Sequence, residues 1–419
     1  LLGPTPPASH TAAYVAASWC AAHMLARQPT EAEQQGRRAI EMAEQIGDRP
    51  VAAESAIVSG ISLSMSGDDS GLERVRHGMR VAEEIGDEQM VSLGFSQIGS
   101  GYGELRRYDI AMPALQDGIT YTSDREMTGR SLYDQAWLAR CELEIGDWDR
   151  AGRRADGLLR DPRCVGNTRL VVLCTLGWLR SRRGDPGVEP LLDEALQLGR
   201  TAQHGQRLWP AVACRAEHAW RRGDLDAELV VIREGLELAH EVDYLPAVEE
   251  LSHWLAIAGE AAPSIATPAR TPFGLSATGD WDLARDAWID LGCPFETAFC
   301  RFMIGDRAEL TEAYRTFDEL GAAPMRERTA DRLRELGAAV PRGANRTTRD
   351  NPHGLTVREL DVAALLPDGC TNAEIAERLH ISPKTAGHHV SKVLAKLGVA
   401  TRAEAAVLID RLGIGTRER

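Results

Sequence analysis

Lysine is almost missing from this 419-residue chain. Reading it end to end finds Lys384, Lys392 and Lys396, all inside residues 381–398, and the remaining basic residues are arginine. A phosphate-cradling G-x-x-x-x-G-K-[ST] loop needs a lysine to reach the β- and γ-phosphates, so no such loop lies before residue 384. The same gap, with no alternating strand and helix pattern, argues against a phospho-receiver domain or a parallel-sheet nucleotide fold. G-x-S-x-G and G-x-G-x-x-G are absent too. The chain therefore reads as no enzyme, with no cofactor, and any ATPase is expected upstream of Leu1 or lost.

Paired cysteines are also lacking. Eight cysteines are scattered without a C-x-x-C pair or a Cys/His cluster, a pattern expected of reduced, buried thiols in a cytoplasmic protein without a metal site. No apolar run is long enough to span a bilayer. Residues 11–26, "TAAYVAASWCAAHMLA", lack a basic leader and read as a packed helix, so no membrane partner is expected.

The net charge is −14, yet it is unevenly spread. Residues 341–419 hold 12 Lys/Arg against 9 Asp/Glu, about +3, which leaves about −17 on the first 340. A small basic tail on a large acidic body suggests two jobs for two parts.

What the body does have is a period. Turn signals at Gly67, Arg106, Gly146, Gly184 and Gly223 are spaced 39, 40, 38 and 39 residues apart. A looser series falls midway, at Gly47, Gly86, Ser123, Gly166, Gly205 and Val242. Between them lie segments of 14–17 residues with apolar positions at i, i+3, i+4 and i+7, the pattern of amphipathic helices. Helix pairs repeating near 39 residues predict an all-α, tetratricopeptide-like solenoid. Trp148, Trp178, Trp209 and Trp220 are expected in its core rather than against a ligand.

The expected layout is a disordered start at 1–10, the solenoid at 11–260 and a linker or loop at 261–278. Further helical repeats at 279–337, a linker at 338–354 and a last domain at 355–415 follow. In that last domain Thr356/Glu359, Thr371/Glu374 and Thr401/Glu404 are T-x-x-E capping boxes, and Ser382-Pro383 is an N-cap before proline. They predict helices at about 357–366, 372–379, 383–397 and 402–412. The three-residue turn 380–382 makes a helix-turn-helix, whose second helix enters the major groove. Lys384, His388 and Ser391 share one face of that helix and His389, Lys392 and Lys396 the adjacent one, while Val390, Val393, Leu394 and Leu397 face inward. The lysines sit where they can reach phosphate or a guanine edge.

Residues 355–406, "LTVRELDVAALLPDGCTNAEIAERLHISPKTAGHHVSKVLAKLGVATRAEAA", resemble the helix-turn-helix of LuxR-type transcription regulators. The similarity implies a sequence-specific regulator of bacterial, cytoplasmic and nucleoid-associated location, bound to double-stranded DNA as a homodimer. It adds Thr356, Arg358, Asn372, Ser382 and Thr385 to the expected DNA contacts. The family's fourth helix pairs two domains, which puts Val399, Arg402, Ala403, Ala406, Val407 and Asp410 at the dimer contact. Two residues depart from the pattern: Ala386 replaces the usual valine, and Gly387 stands where many members carry a groove-facing side chain. The body looks like the middle of the family's large branch, here without its P-loop ATPase, with an unknown ligand or protein on the solenoid. The alternatives are a helical-repeat interaction scaffold, or the C-terminal part of a larger signalling ATPase regulator.

Overall fold

The computed structural model describes residues 8–201, 205–260, 271–341, 355, 357–379, 381–399 and 401–412. These form 22 α-helices and one 3-10 turn, with no strand among the described residues. The chain divides into two compact units, residues 1–340 and 341–419.

The first unit is a solenoid. Its odd helices are α1 (His10–Leu25), α3 (Arg49–Met65), α5 (Glu88–Glu104), α7 (Thr128–Glu144), α9 (Gly166–Arg183), α11 (Gly205–Arg222) and α13 (Leu245–Ile257). They begin 38 to 40 residues apart, and each packs on the odd helix before it as well as on its sequence neighbours. They are therefore buried on several sides, and α3 and α5 are apolar or small-residue helices nearly all round, as a doubly covered helix must be. The even helices are α2 (Pro29–Ile46), α4 (Ser70–Ile85), α6 (Tyr108–Ser123), α8 (Trp148–Leu159), α10 (Glu189–Thr201) and α12 (Leu229–Glu241). Each of these keeps one apolar stripe and forms the outer layer.

The period seen in sequence is the period of the turn after each odd helix. Gly67, Gly146, Gly184 and Gly223 all have φ between 79° and 89°, the left-handed region that glycine enters without a Cβ penalty. Arg27 and Arg106 occupy the same repeat position with φ 59° each. An L-residue there costs on the order of 1–3 kcal/mol, and both arginines have buried ion pairs that can offset it. Arg27 donates to Glu104 from Nε (3.0 Å) and Nη2 (2.5 Å). Arg106 lies 3.5 Å from both Glu144 and Glu250.

Five more helices complete the unit: α14 (Pro272–Ala277), α15 (Trp281–Asp290), α16 (Pro294–Ile304), α17 (Arg307–Leu320) and α18 (Ala323–Glu335). They fold back over the C-terminal ends of the odd helices. Phe295 meets Trp148 at 5.9 Å and Phe299 meets Trp220 at 4.9 Å between ring centroids, and Trp288 shares a core with Ile57, Tyr102 and Tyr108. Residues 272–277, placed by composition in a linker, are thus a helix: Thr271 caps it, accepting from the Gly274 amide. The rest of that expected linker, 261–270, and most of the 1–10 segment lie outside the described residues.

Between the odd helices and this return lies a lattice of buried ions. Arg182 bonds Glu217 through both ends of its fork, 2.9 Å each, and Glu296 at 2.8 Å. Arg140 pairs with Glu144 one turn on and stacks 3.6 Å from the Trp178 ring centre; Arg221 lies 3.5 Å from Glu217. Burial opposes ionisation of Glu144, but Arg140 and Arg106 overcome it and hold its carboxyl down at about 2. All eight cysteines are free and buried; burial pushes the Cys20 and Cys174 thiols up to about 12, which leaves them inert at neutral pH. Trp148, Trp178 and Trp209 are buried, and no described helix is long and apolar enough to cross a membrane.

Candidate nucleic-acid interface

The second unit has its own core. Four helices, α19 (Val357–Ala363), α20 (Asn372–Leu379), α21 (Pro383–Leu397) and α22 (Arg402–Leu412), enclose Leu355, Val362, Leu366, Ile375, Val393 and Ile409, each 1% exposed or less. Two of the three capping boxes are closed in both directions. The Thr371 amide donates to Glu374 at 2.6 Å, and the Glu374 amide to the Thr371 hydroxyl at 3.3 Å. The Thr401 and Glu404 pair does the same, 3.2 Å each way. Those bonds start α20 and α22, and the Thr371 amide draws the Glu374 carboxyl below its usual range.

At the far end of α20 the Ile381 amide returns to the Ala376 carbonyl at 2.9 Å, a Schellman-type closure. The chain reverses there, and the Ser382 carbonyl accepts the Ala386 amide as α21 begins. Ala386, Val390, Val393 and Leu397 then face inward, so the opposite side of α21 is left to solvent. On that side Ser382, Lys384, Ser391 and Lys392 are exposed. The Ser391 hydroxyl donates back to the Gly387 carbonyl at 3.0 Å. His389 is half-buried. Thr356 and the side chains of Arg358, Thr385 and His388 lie outside what is described.

Three polar contacts were not legible in the sequence. Lys396 donates from Nζ to the Glu359 carboxylate at 2.6 Å, and Glu359 is 3% exposed. That bond ties the last turn of α21 to α19; Thr356, the other half of the expected capping box, lies outside the described residues. Arg402, expected at a dimer contact, donates to the Asn372 side chain at 3.0 Å and to the Cys370 carbonyl. Asn372 in turn lies against Gly387, where an added Cβ would stand 3.1 Å from Asn372 Nδ2. Gly387 therefore faces α20, and its small size accommodates that approach. The pairs are 37 and 30 residues apart, beyond the reach of any local motif.

On α22, Ala405 and Ile409 are buried while Val407 is 69% exposed. Ala403 and Asp410 are exposed, Ala406 and Val399 half-buried. Among the described residues no three of His, Cys, Asp and Glu gather where they could hold a metal.

A compact helical domain with a short helix, a chain reversal and then a cation-bearing helix fits the helix-turn-helix class. Residues 353–409 match the family model "Bacterial regulatory proteins, luxR family". The spore germination protein GerE of Bacillus subtilis is 46% identical over 59 residues, 80% of that protein and 14% of this chain. The chain belongs to the luxR family. It is also 46% identical over 61 residues to the transcriptional regulatory protein LiaR of Bacillus subtilis. To the DNA-binding transcriptional activator DevR/DosR of Mycobacterium tuberculosis it is 42% identical over 64 residues. These matches take up 14% and 15% of this chain, and the chain spans 29% and 30% of the two relatives. Among solved structures, a Rap protein complexed with competence and sporulation factor is similar at a TM-score of 0.43 and 12% identity, over 78% of this chain and 92% of that one.

Proposed function

We propose that the chain is a sequence-specific, DNA-binding transcription regulator that works without catalysis, with α21 in the major groove and the solenoid as its sensor or partner-binding module. The observation that carries this is the two-sidedness of α21: Ala386, Val390, Val393 and Leu397 are buried, and Lys384, Ser391 and Lys392 are exposed on the other side. Lys384, Lys392 and Lys396 are all exposed; the first two meet phosphate or base, with His388, His389 and Thr385 beside them in the helix sequence. Ser382, exposed at the start of α21, meets the DNA backbone, and the same role is proposed for Thr356 and Arg358. Lys396 ties α19 to the reading helix and Asn372, on α20, holds Arg402 of α22; both are exposed and reach DNA from there. Val407, an exposed apolar side chain, makes an isologous contact with its counterpart in a second copy, and Ala403, Ala406, Asp410 and Val399 take part in it. Arg402 braces that helix on Asn372. Two copies on a dyad follow from that contact, in the bacterial cytoplasm on the nucleoid.

The test is selection from random duplex DNA by the full chain, with salt titration of the winners. A dyad-symmetric site with a log–log salt slope near −5, about six phosphates neutralised by a dimer, is the expected result. Failure to enrich any sequence would move the helical-repeat scaffold ahead.

A further inference from the structure

The solenoid interior holds a cavity of about 70 Å³, bounded by Trp137, Trp178, Trp209, Leu170, Val171 and Pro210 among its apolar walls. A second space of about 30 Å³ shares Arg106, Arg140, Glu144, Trp178 and Glu250 with it. We propose that this cavity binds a small zwitterion with an apolar side chain, a free amino acid of the size of leucine or phenylalanine. The inference rests on reading the solenoid as the sensor.

Size comes first. A water occupies on the order of 10–15 Å³ on this measure and about 30 Å³ of liquid, so the larger space equals five or more waters. That corresponds to a molecule of roughly eight to twelve non-hydrogen atoms.

Charge comes second. The cavities are lined by Arg106, Arg140 and Arg182 and by Glu104, Glu144, Glu217, Glu250 and Glu296. Arg27 on Glu104 and Arg221 on Glu217 bring the balance to five against five. A ligand with net charge would leave one ion uncompensated in a low-dielectric interior. A neutral one that carries both signs finds a partner for each.

The polar groups are placed for both ends. Arg140 has one ion pair, to Glu144, and lies flat on Trp178 with its side chain 18% exposed. A planar fork in that position suits a carboxylate. Glu250 receives the Trp209 indole N–H at 3.1 Å and Arg106 at 3.5 Å, both on Oε2. Its other oxygen is the acceptor for an ammonium. Burial raises the Glu250 carboxyl above its usual range against the pull of Arg106 and Arg140, and an ammonium partner would reverse that.

The backbone supplies an independent reason. Arg27 and Arg106 are held at φ 59° where the other repeats use glycine, and Arg182 Nη1 and Arg106 Nε are buried without a hydrogen-bond partner. A solenoid that needed apolar packing alone would be no less stable with hydrocarbon in these places. Strain at Arg106, which lines both spaces, and unsatisfied donors on Arg106 and Arg182, which lines the second, mark a binding site.

The experiment is isothermal titration of the full chain with leucine and phenylalanine, beside leucinamide, which is cationic, and N-acetylleucine, which is anionic. Saturable one-to-one binding of an amino acid, with both charged derivatives at least tenfold weaker, is expected. Glu250→Gln should weaken the amino acid at least tenfold while DNA binding of the folded variant holds, with a lowered melting temperature because Arg106 loses a buried carboxylate. Absence of binding by both amino acids, or a charged derivative binding as tightly as its parent, would overturn the proposal. If Glu250→Gln does not fold, the comparison of derivatives on the wild-type chain decides alone. DNA selection with the same preparation reports separately on the regulator itself.

Discussion

Lys392 and Lys396 lie four residues apart on α21, yet their surroundings assign them different work. Lys392 is exposed, and on DNA each copy of it neutralises one phosphate. Each phosphate contributes about −0.9 to the log–log salt slope, so Lys392→Ala in a dimer should make the slope shallower by about 1.8. Across a fourfold change, from 50 to 200 mM salt, the gap between wild type and variant should then shrink about tenfold. Lys396→Ala acts elsewhere. It removes the 2.6 Å bond from a Glu359 carboxylate that is 3% exposed. The second unit should lose on the order of 1–3 kcal/mol, with little change in slope. Fluorescence anisotropy on a selected duplex gives the slopes, and urea unfolding of the full chain gives the stabilities. A slope unchanged by Lys392→Ala but flattened by Lys396→Ala would refute the assignment of the two lysines.

Three further outcomes follow from particular contacts. Asp134 is fully buried beside Ser96, whose hydroxyl donates at 2.5 Å, and burial pushes its carboxyl up to about 7. The protonated form is the one the fold prefers, so its stabilisation is complete below the unfolded value near 4 and lost as pH rises through about 7; Asp134→Asn should therefore gain on wild type between those limits, by up to about 4 kcal/mol, in urea titrations at pH 4.5 and 8. Val407→Asp should leave the melting temperature unchanged, since Val407 is 69% exposed, and lower affinity for a dyad site at least tenfold, with one copy bound per duplex in a stoichiometry titration. Gly71→Ala would place a Cβ 2.3 Å from the Gly60 carbonyl oxygen where α3 and α4 cross, and should cost about 1–3 kcal/mol by urea midpoint.

The repeat was legible because each odd helix must end in a left-handed residue, and glycine marks most of those ends. Where an arginine takes the place the signal fades: Arg106 was found by spacing, and Arg27, the first of the series, gave no sign. The midway series was read less closely. The left-handed residues there are Glu126 and Asp243, three and one residues beyond Ser123 and Val242. The return of α14–α18 was hidden for a different reason. Its contacts join residues far apart, Arg182 to Glu296 across 114 positions and Tyr108 to Cys293 across 185, and no window of sequence contains both partners. In the second unit the capping boxes at Thr371 and Thr401 were readable because a cap is made within four residues. The roles of Glu359, Asn372 and Gly387 depend on helices meeting at an angle, which composition does not encode.

The measurement closest to the central claim is guanine N7 methylation interference on a duplex selected by the full chain. N7 lies in the major groove. If α21 reads that groove from two paired domains, methylation should block binding at guanines in two dyad-related half-sites, about one helical turn apart. Binding indifferent to N7 methylation throughout the site would contradict it.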